Sequence, residues 1–493
     1  MTAGKPVPVA ASMLIGGRPV ERAERIEVVN PSDVRDMVGT IPRATDADVD
    51  AAVSAAGEAF PVWSRSLMRD RAAALREAAG ALRRGAKARG RLLAREAGHL
   101  IGDAMSGMER LSDILLYYAD VGETFAEAID LPSPNGRVTV LRQPMGVAVL
   151  IVPWNGPTAL GFLGLAPILL AGNTVVVKPP TEAPLALIDA LEAIAPFFPA
   201  GTINVVTGQA GDIGRALVTH PRVRKINFTG STETGKQILR DAADTVKRVT
   251  LELGGNDAAV VMADANLDHA VPELVTGTFS LTGQVCYNVK RLYVHRSIHD
   301  EFVERFRAAT DTYVVGDGLD TRTTMGPLIS ARQRSWVQSL VGDARDAGAS
   351  VKELGRPLDK EAWPFGHFML PTVVSELAHD SRLVQCEQFG PVAPIVLFDT
   401  EDEAIRLVND SEYGLSSSLW TRDEERAFAL APRIEAGTTF INVHRRGASA
   451  VDMPFGGFKQ SGIGRSHGVV AVEEQLELHT VSSRRPAGPA PRA

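Results

Sequence analysis

Three side chains in this sequence have the makings of one reaction. Cys286, in Gly283-Gln284-Val285-Cys286, offers a sulfur that is nucleophilic as its thiolate. Glu252, in Leu251-Glu252-Leu253-Gly254-Gly255, is a carboxylate among apolar residues. Burying it is costly without a partner or a task, and burial would raise its pKa toward general-base work. Asn155, in Pro153-Trp154-Asn155-Gly156, offers an amide donor for a developing oxyanion. Each also has a plainer reading: a lone cysteine as a small buried hydrophobe, a strand-end carboxylate facing solvent, an Asn-Gly turn.

A second group suits a phosphate-bearing, flat-ringed ligand. Lys178 closes an apolar run in Val177-Lys178-Pro179-Pro180. Phe228-Thr229-Gly230-Ser231 ends another run and opens a helix, with Gly235 further along. Helix N-termini with small residues receive phosphates through free N–H groups, although this is not the G-x-G-x-x-G loop. Glu387-Gln388-Phe389-Gly390-Pro391 sets a carboxylate beside an aromatic, fit for ribose hydroxyls and a ring, or simply a loop glutamate and a core phenylalanine.

These residues need elements to hold them. Residues 46–128 predict helices, with Asp46 as a first cap and Leu75, Ala78, Ala79 and Leu82 on one face. Near Leu131 the pattern turns to Pro132-Ser133-Pro134-Asn135-Gly136, a hairpin turn at Asn135-Gly136, and a short strand over Arg137–Leu141. Apolar β-branched runs follow at Gly146–Val152, Asn173–Val177, Ile203–Val206, Lys225–Phe228 and Arg248–Leu251, separated by helical stretches. That alternation predicts an α/β fold with a doubly wound parallel sheet. Ligands bind beyond the carboxyl ends of such strands, where Asn155, Lys178, Ser231 and Glu252 fall. A second α/β region begins near Gly254, with runs at Ala258–Met262, Arg291–His295, Val392–Phe398 and Thr438–Val443, and a last extended segment near Leu478–Ser482.

Composition bounds the function. A chain of 493 residues is too long for one ordinary core, so two or three domains are expected. Apolar residues make up 45% and charged residues 23%, a globular mixture. With 52 basic and 59 acidic side chains the net charge is −7, which gives no electrostatic reason to seek nucleic acid or anionic lipid. The longest apolar stretch, Ala159–Ala171, is interrupted by Gly161, Gly164 and Pro167 and is too short to span a bilayer. Lys5 and a weak run over Val7–Ile15, broken by Pro8 and Ser12, do not make a signal peptide. Only Cys286 and Cys386 occur, which is no disulfide framework and fits a reducing cytoplasm. Cys386 reads as structural. His295 and His299 lack a companion ligand motif, so no metal site is expected. The segment from Ser482 to Ala493, rich in Pro, Arg and Ala, is expected to be frayed or draped on a surface.

Taken together, the set resembles the aldehyde dehydrogenase superfamily over nearly the whole chain. Its motifs stand in family order: Pro-Trp-Asn, Lys-Pro, Phe-Thr-Gly-Ser, Leu-Glu-Leu-Gly-Gly, Gly-Gln-x-Cys, Glu-x-Phe-Gly-Pro and Pro-Phe-Gly-Gly-x-Lys-x-Ser-Gly. The resemblance implies Cys286 as nucleophile, Asn155 with the Cys286 backbone N–H as oxyanion hole, and Glu252 as the base that activates water. It implies NAD or NADP as cofactor, held by Trp154, Lys178, Thr181, Glu182, Gly230, Ser231, Leu253, Glu387 and Phe389. It implies a cofactor-binding domain over residues 1–130 and 147–253, a catalytic domain over 254–452, and a small β oligomerisation arm over 131–146 and 475–493, assembled as a homodimer or homotetramer. The implied substrate is a small-molecule aldehyde, oxidised to the acid.

Three departures sharpen the expectations. Many NAD-using relatives have a glutamate three residues after the strand-end lysine; here Thr181 stands there and would tolerate a 2′-phosphate, although Glu182, which follows it, could swing into the same space. Positions often filled by large side chains hold Gly156, Leu160 and Leu163, which predicts a roomy tunnel and a bulky or aromatic aldehyde. His444-Arg445-Arg446 borders the entrance in this family, and arginines there could receive a carboxylate, making a semialdehyde the alternative. A coenzyme A-acylating enzyme is opposed by Glu252, and a non-catalytic cofactor-binding protein by the intact Cys286, Glu252 and Asn155 set.

Overall fold

Five buried, β-branched strands run parallel through the first half of the chain: Val147–Ile151, Thr174–Lys178, Ile203–Val205, Val223–Thr229 and Arg248–Glu252. In this computed structural model, which describes residues 7–134 and 136–484, they form the centre of an eight-stranded sheet. Spatially, Val147–Ile151 lies between Thr174–Lys178, which leads on to Ile203–Val205, and Val223–Thr229, which leads on to Arg248–Glu252. The winding therefore reverses beside Val147–Ile151, and a crevice opens at the carboxyl ends there. The sheet is doubly wound, as the alternation predicts. Antiparallel strands close both edges: Met13–Ile15 with Arg18–Val20 on one side, Gly462–Ile463 on the other.

Helices α1 (Asp46–Trp63), α2 (Met68–Ala97) and α3 (Ile101–Thr124) occupy the predicted helical region. The cap of α1 is Thr45 rather than Asp46: the Thr45 N–H donates to Asp48 Oδ2 at 2.9 Å, and Asp46 lies in the first turn. Leu75, Ala78, Ala79 and Leu82 are buried together on α2. Helix α4 (Pro157–Leu170) is the interrupted apolar stretch. Its Pro167 sits inside the helix, and a side chain at Gly164 would press on Leu150 Cδ1 at 2.7 Å, so glycine lets α4 lie close on the sheet.

The second sheet has seven strands in the order Ser350–Glu353, Thr372–Ser375, Val392–Phe398, Val289–His295, Asp257–Val261, Ser416–Trp420 and Thr438–Ile441. All pairs are parallel except the Ser350–Glu353 edge. Strand Ser416–Trp420 escapes a hydrophobicity reading because three serines open it. They are buried yet satisfied: the Ser416 hydroxyl donates to Asp257 Oδ2, Ser417 Oγ meets Thr439 Oγ1 at 2.8 Å, and Ser418 Oγ meets His444 Nδ1 at 2.8 Å.

A third, small sheet joins Ala128–Leu131, Val138–Pro144 and Leu476–Ser482, all antiparallel. Asn135 of the expected turn and residues 485–493 of the expected frayed end lie outside the described residues. Ser482 itself is not frayed, because it pairs with Val138. Among the described residues no helix is long and apolar enough to cross a membrane.

Candidate active site

The two main sheets meet through a short link. Strand Arg248–Glu252 ends the first sheet, and Asp257 opens the central strand of the second. Only residues 253–256 separate them, so the carboxyl edge of one sheet faces the amino edge of the other. Gly254 and Gly255 make the approach possible. A Cβ on Gly254 would collide with Glu387 Oε2, and one on Gly255 would stand 2.8 Å from the Cys286 carbonyl oxygen. The Leu253 N–H donates to Ser461 O at 2.9 Å, and Leu253 packs into the core beneath.

Cys286 comes from the amino side of strand Val289–His295. Before it, Leu281, Thr282 and Gly283 have φ of +49°, +59° and +75°. For Leu and Thr such backbone costs on the order of 1–3 kcal/mol each, so it must be braced. Thr282 Oγ1 donates to Gly326 O at 3.0 Å, Gln284 Nε2 donates to Leu281 O at 3.1 Å, and Gln284 Oε1 accepts the Ile329 N–H at 3.0 Å. Asn155 arrives from the first sheet and donates through Nδ2 to the Gln284 carbonyl at 3.0 Å. The amide therefore sits beside the loop that carries the sulfur.

Burial pushes the Cys286 thiol up to about 12, with the Lys290 ammonium working against it. Burial also pushes Glu252 up to about 8, opposed in part by Ser466 and Arg465. Neither Glu252 oxygen has a well-formed hydrogen bond. A buried carboxyl raised to about 8 holds its proton at neutral pH and becomes able to take one from water as pH rises through that value.

Asn155, Glu252 and Cys286 all line one cavity of about 450 Å³. Gly156, Leu160 and Leu163 line it too, with Ile114, Val285 and Val451 adding to its apolar wall. One side is aromatic: Tyr287 meets Phe455 edge-on at 5.6 Å, and His467 stacks on Phe455 at 5.2 Å. Sequence reasoning missed this wall, although Tyr287 follows Cys286 and Phe455 lies in the Pro-Phe-Gly-Gly motif. Asp103, Arg110, Asp113 and Arg446 also line the cavity, and a second cavity of about 320 Å³ shares Asp103, Arg110 and Arg446 with it.

The basic trio separates in space. His444 does not line the cavity; it is wholly buried, bonded to Ser418 Oγ and to the Tyr287 carbonyl at 3.0 Å. Arg445 pairs with Glu273 at 2.8 Å and faces the second cavity only. Of the expected trio only Arg446 reaches the main cavity, where it pairs with Asp103 at 3.4 Å; His444 and Arg445 do not line it. Cys386 packs against the core around Leu383 and Val337. His295 meets Ser297 Oγ, His299 meets Asp300, and among the described residues no group of three or more His, Cys, Asp or Glu gathers to hold a metal.

The remaining predicted residues fit a dinucleotide by the chemistry of their donors. Ser231 caps the helix Thr232–Ala242 and accepts the Thr234 N–H at 3.3 Å, at the positive end of that helix dipole. The Gly230 N–H donates to Glu252 O at 3.0 Å. Lys178 is buried, with Nζ donating to Pro179 O at 3.3 Å; burial pulls it down to about 8, while Glu182 and Asp212 hold it up. Thr181 Oγ1 donates to Gly208 O at 3.2 Å, and Glu182 is exposed. Trp154 and Phe389 meet edge-on at 5.4 Å. Phe389 has a φ of +50° and is pinned by Gln333 Nε2, which donates to its carbonyl at 3.0 Å. Glu387 Oε1 accepts the Gly255 N–H at 3.2 Å and pairs with Lys290 at 3.3 Å. A cation, a helix N-terminus, carboxylates and an aromatic pair suit phosphates, ribose hydroxyls and a flat ring.

The chain is similar to known proteins over nearly its whole length. The model of the aldehyde dehydrogenase family matches residues 19–481. The chain is 35% identical to the succinate-semialdehyde dehydrogenase (NADP+) of Escherichia coli, over 92% of this chain and 93% of the relative. It is 38% identical to the geranial dehydrogenase of Castellaniella defragrans, over 93% of this chain and 96% of the relative. A solved structure of betaine aldehyde dehydrogenase from Staphylococcus aureus in complex with NAD+ superposes with a TM-score of 0.93 at 31% identity, covering 97% of this chain and 96% of that one.

Proposed function

The chain belongs to the aldehyde dehydrogenase family, and from that premise we propose that it oxidises an apolar-bodied aldehyde to its carboxylic acid through Cys286, using NAD or NADP. One observation carries the reading: Cys286, Asn155 and Glu252, drawn from two sheets, line a single cavity with mostly apolar walls. The Cys286 thiolate adds to the aldehyde carbon, and the Asn155 amide and the Cys286 backbone N–H hold the alkoxide. The adduct carbon then gives up its hydride, for which bound nicotinamide would be the acceptor, and a thioester on Cys286 remains. Glu252 then takes a proton from water, the hydroxide oxygen attacks the Cys286 thioester, and the acid leaves as the thiolate is regained. Residues 1–130 and 147–253 are the unit that holds cofactor, with Gly462–Ile463 completing its sheet. Residues 254–452 carry the nucleophile, and the small antiparallel sheet exposes Ile129, Leu131, Leu478 and Val481, which supports its use in a dimer or tetramer.

Leu160 and Leu163 leave width beside Asn155, and the geranial dehydrogenase relative is named for an apolar substrate. The second reading, a semialdehyde, is favoured by Arg446 and Arg110 at the cavity. Among the described residues Arg110 forms no ion pair and donates only to Ser106 Oγ at 2.9 Å. The test is kcat/KM for a long apolar aldehyde, a carboxylated aldehyde of the same length and acetaldehyde, each with both cofactors. The apolar aldehyde leading supports the first reading; the carboxylated one leading replaces it with the second; acetaldehyde leading removes both. Thr181 in place of a carboxylate supports use of NADP, and a strong preference for NAD would overturn that part.

A further inference from the structure

Lys290 is a buried ammonium for which the reaction above has no use. Its side chain is 3% exposed. A charge so placed is costly unless its donors are met. Here they are met by three acceptors at once: the Val285 carbonyl at 2.9 Å, the Cys286 carbonyl at short range, and Glu387 Oε1 at 3.3 Å. Its ammonium also lies 5.8 Å from the centre of the Phe389 ring, and its own carbonyl accepts Gln388 Nε2 at 3.3 Å.

The backbone is bent at this residue. Along the pairing of Asp257–Val261 with Val289–His295, Asp257 stands opposite Val289 and Ala258 opposite Arg291, so Lys290 is the extra residue of a bulge. Bulges beside active sites re-aim a side chain that regular alternation would send elsewhere. Burial is the largest influence on the Cys286 thiol; among the charges that follow, Lys290 favours the thiolate, while Asp257, Glu387 from the loop before Val392, and Glu252 from the first sheet oppose it.

We propose that Lys290 is a positioning residue that clamps the peptide of the nucleophile and supplies the positive charge facing Cys286, and that its ion pair with Glu387 ties that charge to the cofactor loop. This rests on reading Cys286 as the nucleophile. The two charges of the pair act on the thiol with opposite sign, so Glu387 offsets the ammonium. When Glu387 turns its oxygens to another partner, that offset weakens. Thiolate formation is thereby coupled to occupation of the Glu387 site.

The experiment is the rate of Cys286 alkylation by iodoacetamide in cofactor-free protein at one mildly alkaline pH, with the site located by peptide mapping. An opposite charge within about 4–6 Å moves a titrating group by about a unit or more, and the ammonium bonds the peptide of Cys286 itself, so Lys290→Gln is expected to slow alkylation by about tenfold or more. Lys290→Arg is expected to keep most of the rate, which a purely packing role would not require. Glu387→Gln is expected to speed alkylation, because it removes an anion and frees the ammonium. Equal rates for Lys290→Gln and the wild type would overturn the proposal. If Lys290→Gln fails to fold, Glu387→Gln decides: faster alkylation supports the proposal, and an equal or slower rate overturns it. No aldehyde enters the assay. A protein that shows these shifts yet oxidises no aldehyde sinks the function and leaves the clamp standing.

Discussion

The two large sheets are both built on parallel central strands and serve the site from opposite ends. The first presents its residues where strands finish: Asn155 after Val147–Ile151, Lys178 closing Thr174–Lys178, Ser231 after Val223–Thr229, Glu252 closing Arg248–Glu252. The second presents them where strands begin: Cys286 and Lys290 at the start of Val289–His295, Glu387 and Phe389 just before Val392–Phe398. The rule that ligands gather at carboxyl ends holds for the first sheet and fails for the second. The reason lies in residues 253–256, which carry the chain from the end of Arg248–Glu252 into the start of Asp257–Val261. The strand that leaves the first sheet enters the second nearly at once, so a carboxyl edge faces an amino edge across the cavity. The division of labour follows. In the proposed reaction the first sheet offers the base, the oxyanion donor and the helix dipole, and the second offers the nucleophile on a strained, braced loop.

That division can be broken from either side. Cys286→Ala removes the contribution of the second sheet and should lower kcat by at least about four orders of magnitude, while calorimetry shows cofactor binding unchanged. Glu252→Gln removes the base of the first sheet. Steady turnover should fall by about 10²–10⁴, yet rapid mixing should still show a burst of reduced cofactor, because only release of the acid is blocked. The same carboxyl sets a pH limb. It is raised to about 8 by burial, so it is protonated and idle below that value, and thioester hydrolysis should rise as pH climbs through it. A single-turnover rate that stays flat across that range would separate Glu252 from the water step.

The junction itself can be tested. Gly255→Ala places a methyl 2.8 Å from the Cys286 carbonyl oxygen and from Leu415 Cβ. It should cost about 1–3 kcal/mol by urea unfolding, and the active-site loop should lose alignment with it. An unchanged midpoint with full activity would mean that the two edges are not held as tightly as their contacts indicate. The smallest effect belongs to the mouth of the cavity. Arg446→Ala should raise KM for a carboxylated aldehyde by about tenfold or less and leave neutral aldehydes alone, since its ion pair with Asp103 is partly solvated. An equal rise for both would assign Arg446 to packing.

Much of this was legible in the sequence because it is local. Pro153-Trp154-Asn155, Phe228-Thr229-Gly230-Ser231 and the stretch around Glu252 carry their position with them: a buried run fixes a strand, and its neighbours fall at the strand end. The runs of Val, Ile and Leu likewise determined the doubly wound sheet, since strands covered on both faces have no polar side to show. What escaped depends on distant partners. Strand Ser416–Trp420 looks polar until Asp257, Thr439 and His444 satisfy its hydroxyls. Arg445 and Arg446 are neighbours in the chain with one reading between them, and only Glu273 and Asp103 send them to different places. Tyr287, Phe455 and His467 become one wall only when the chain returns across the cavity. Lys290 would point by alternation alone to one face of a strand, and a bulge redirects it. The sequence by itself determined which chemistry the chain carries, because residue types and their immediate flanks decide reactivity and secondary structure. Only the tertiary structure decided which charges face the sulfur, because that is set by long-range packing and by irregularities of strand register that no local pattern encodes.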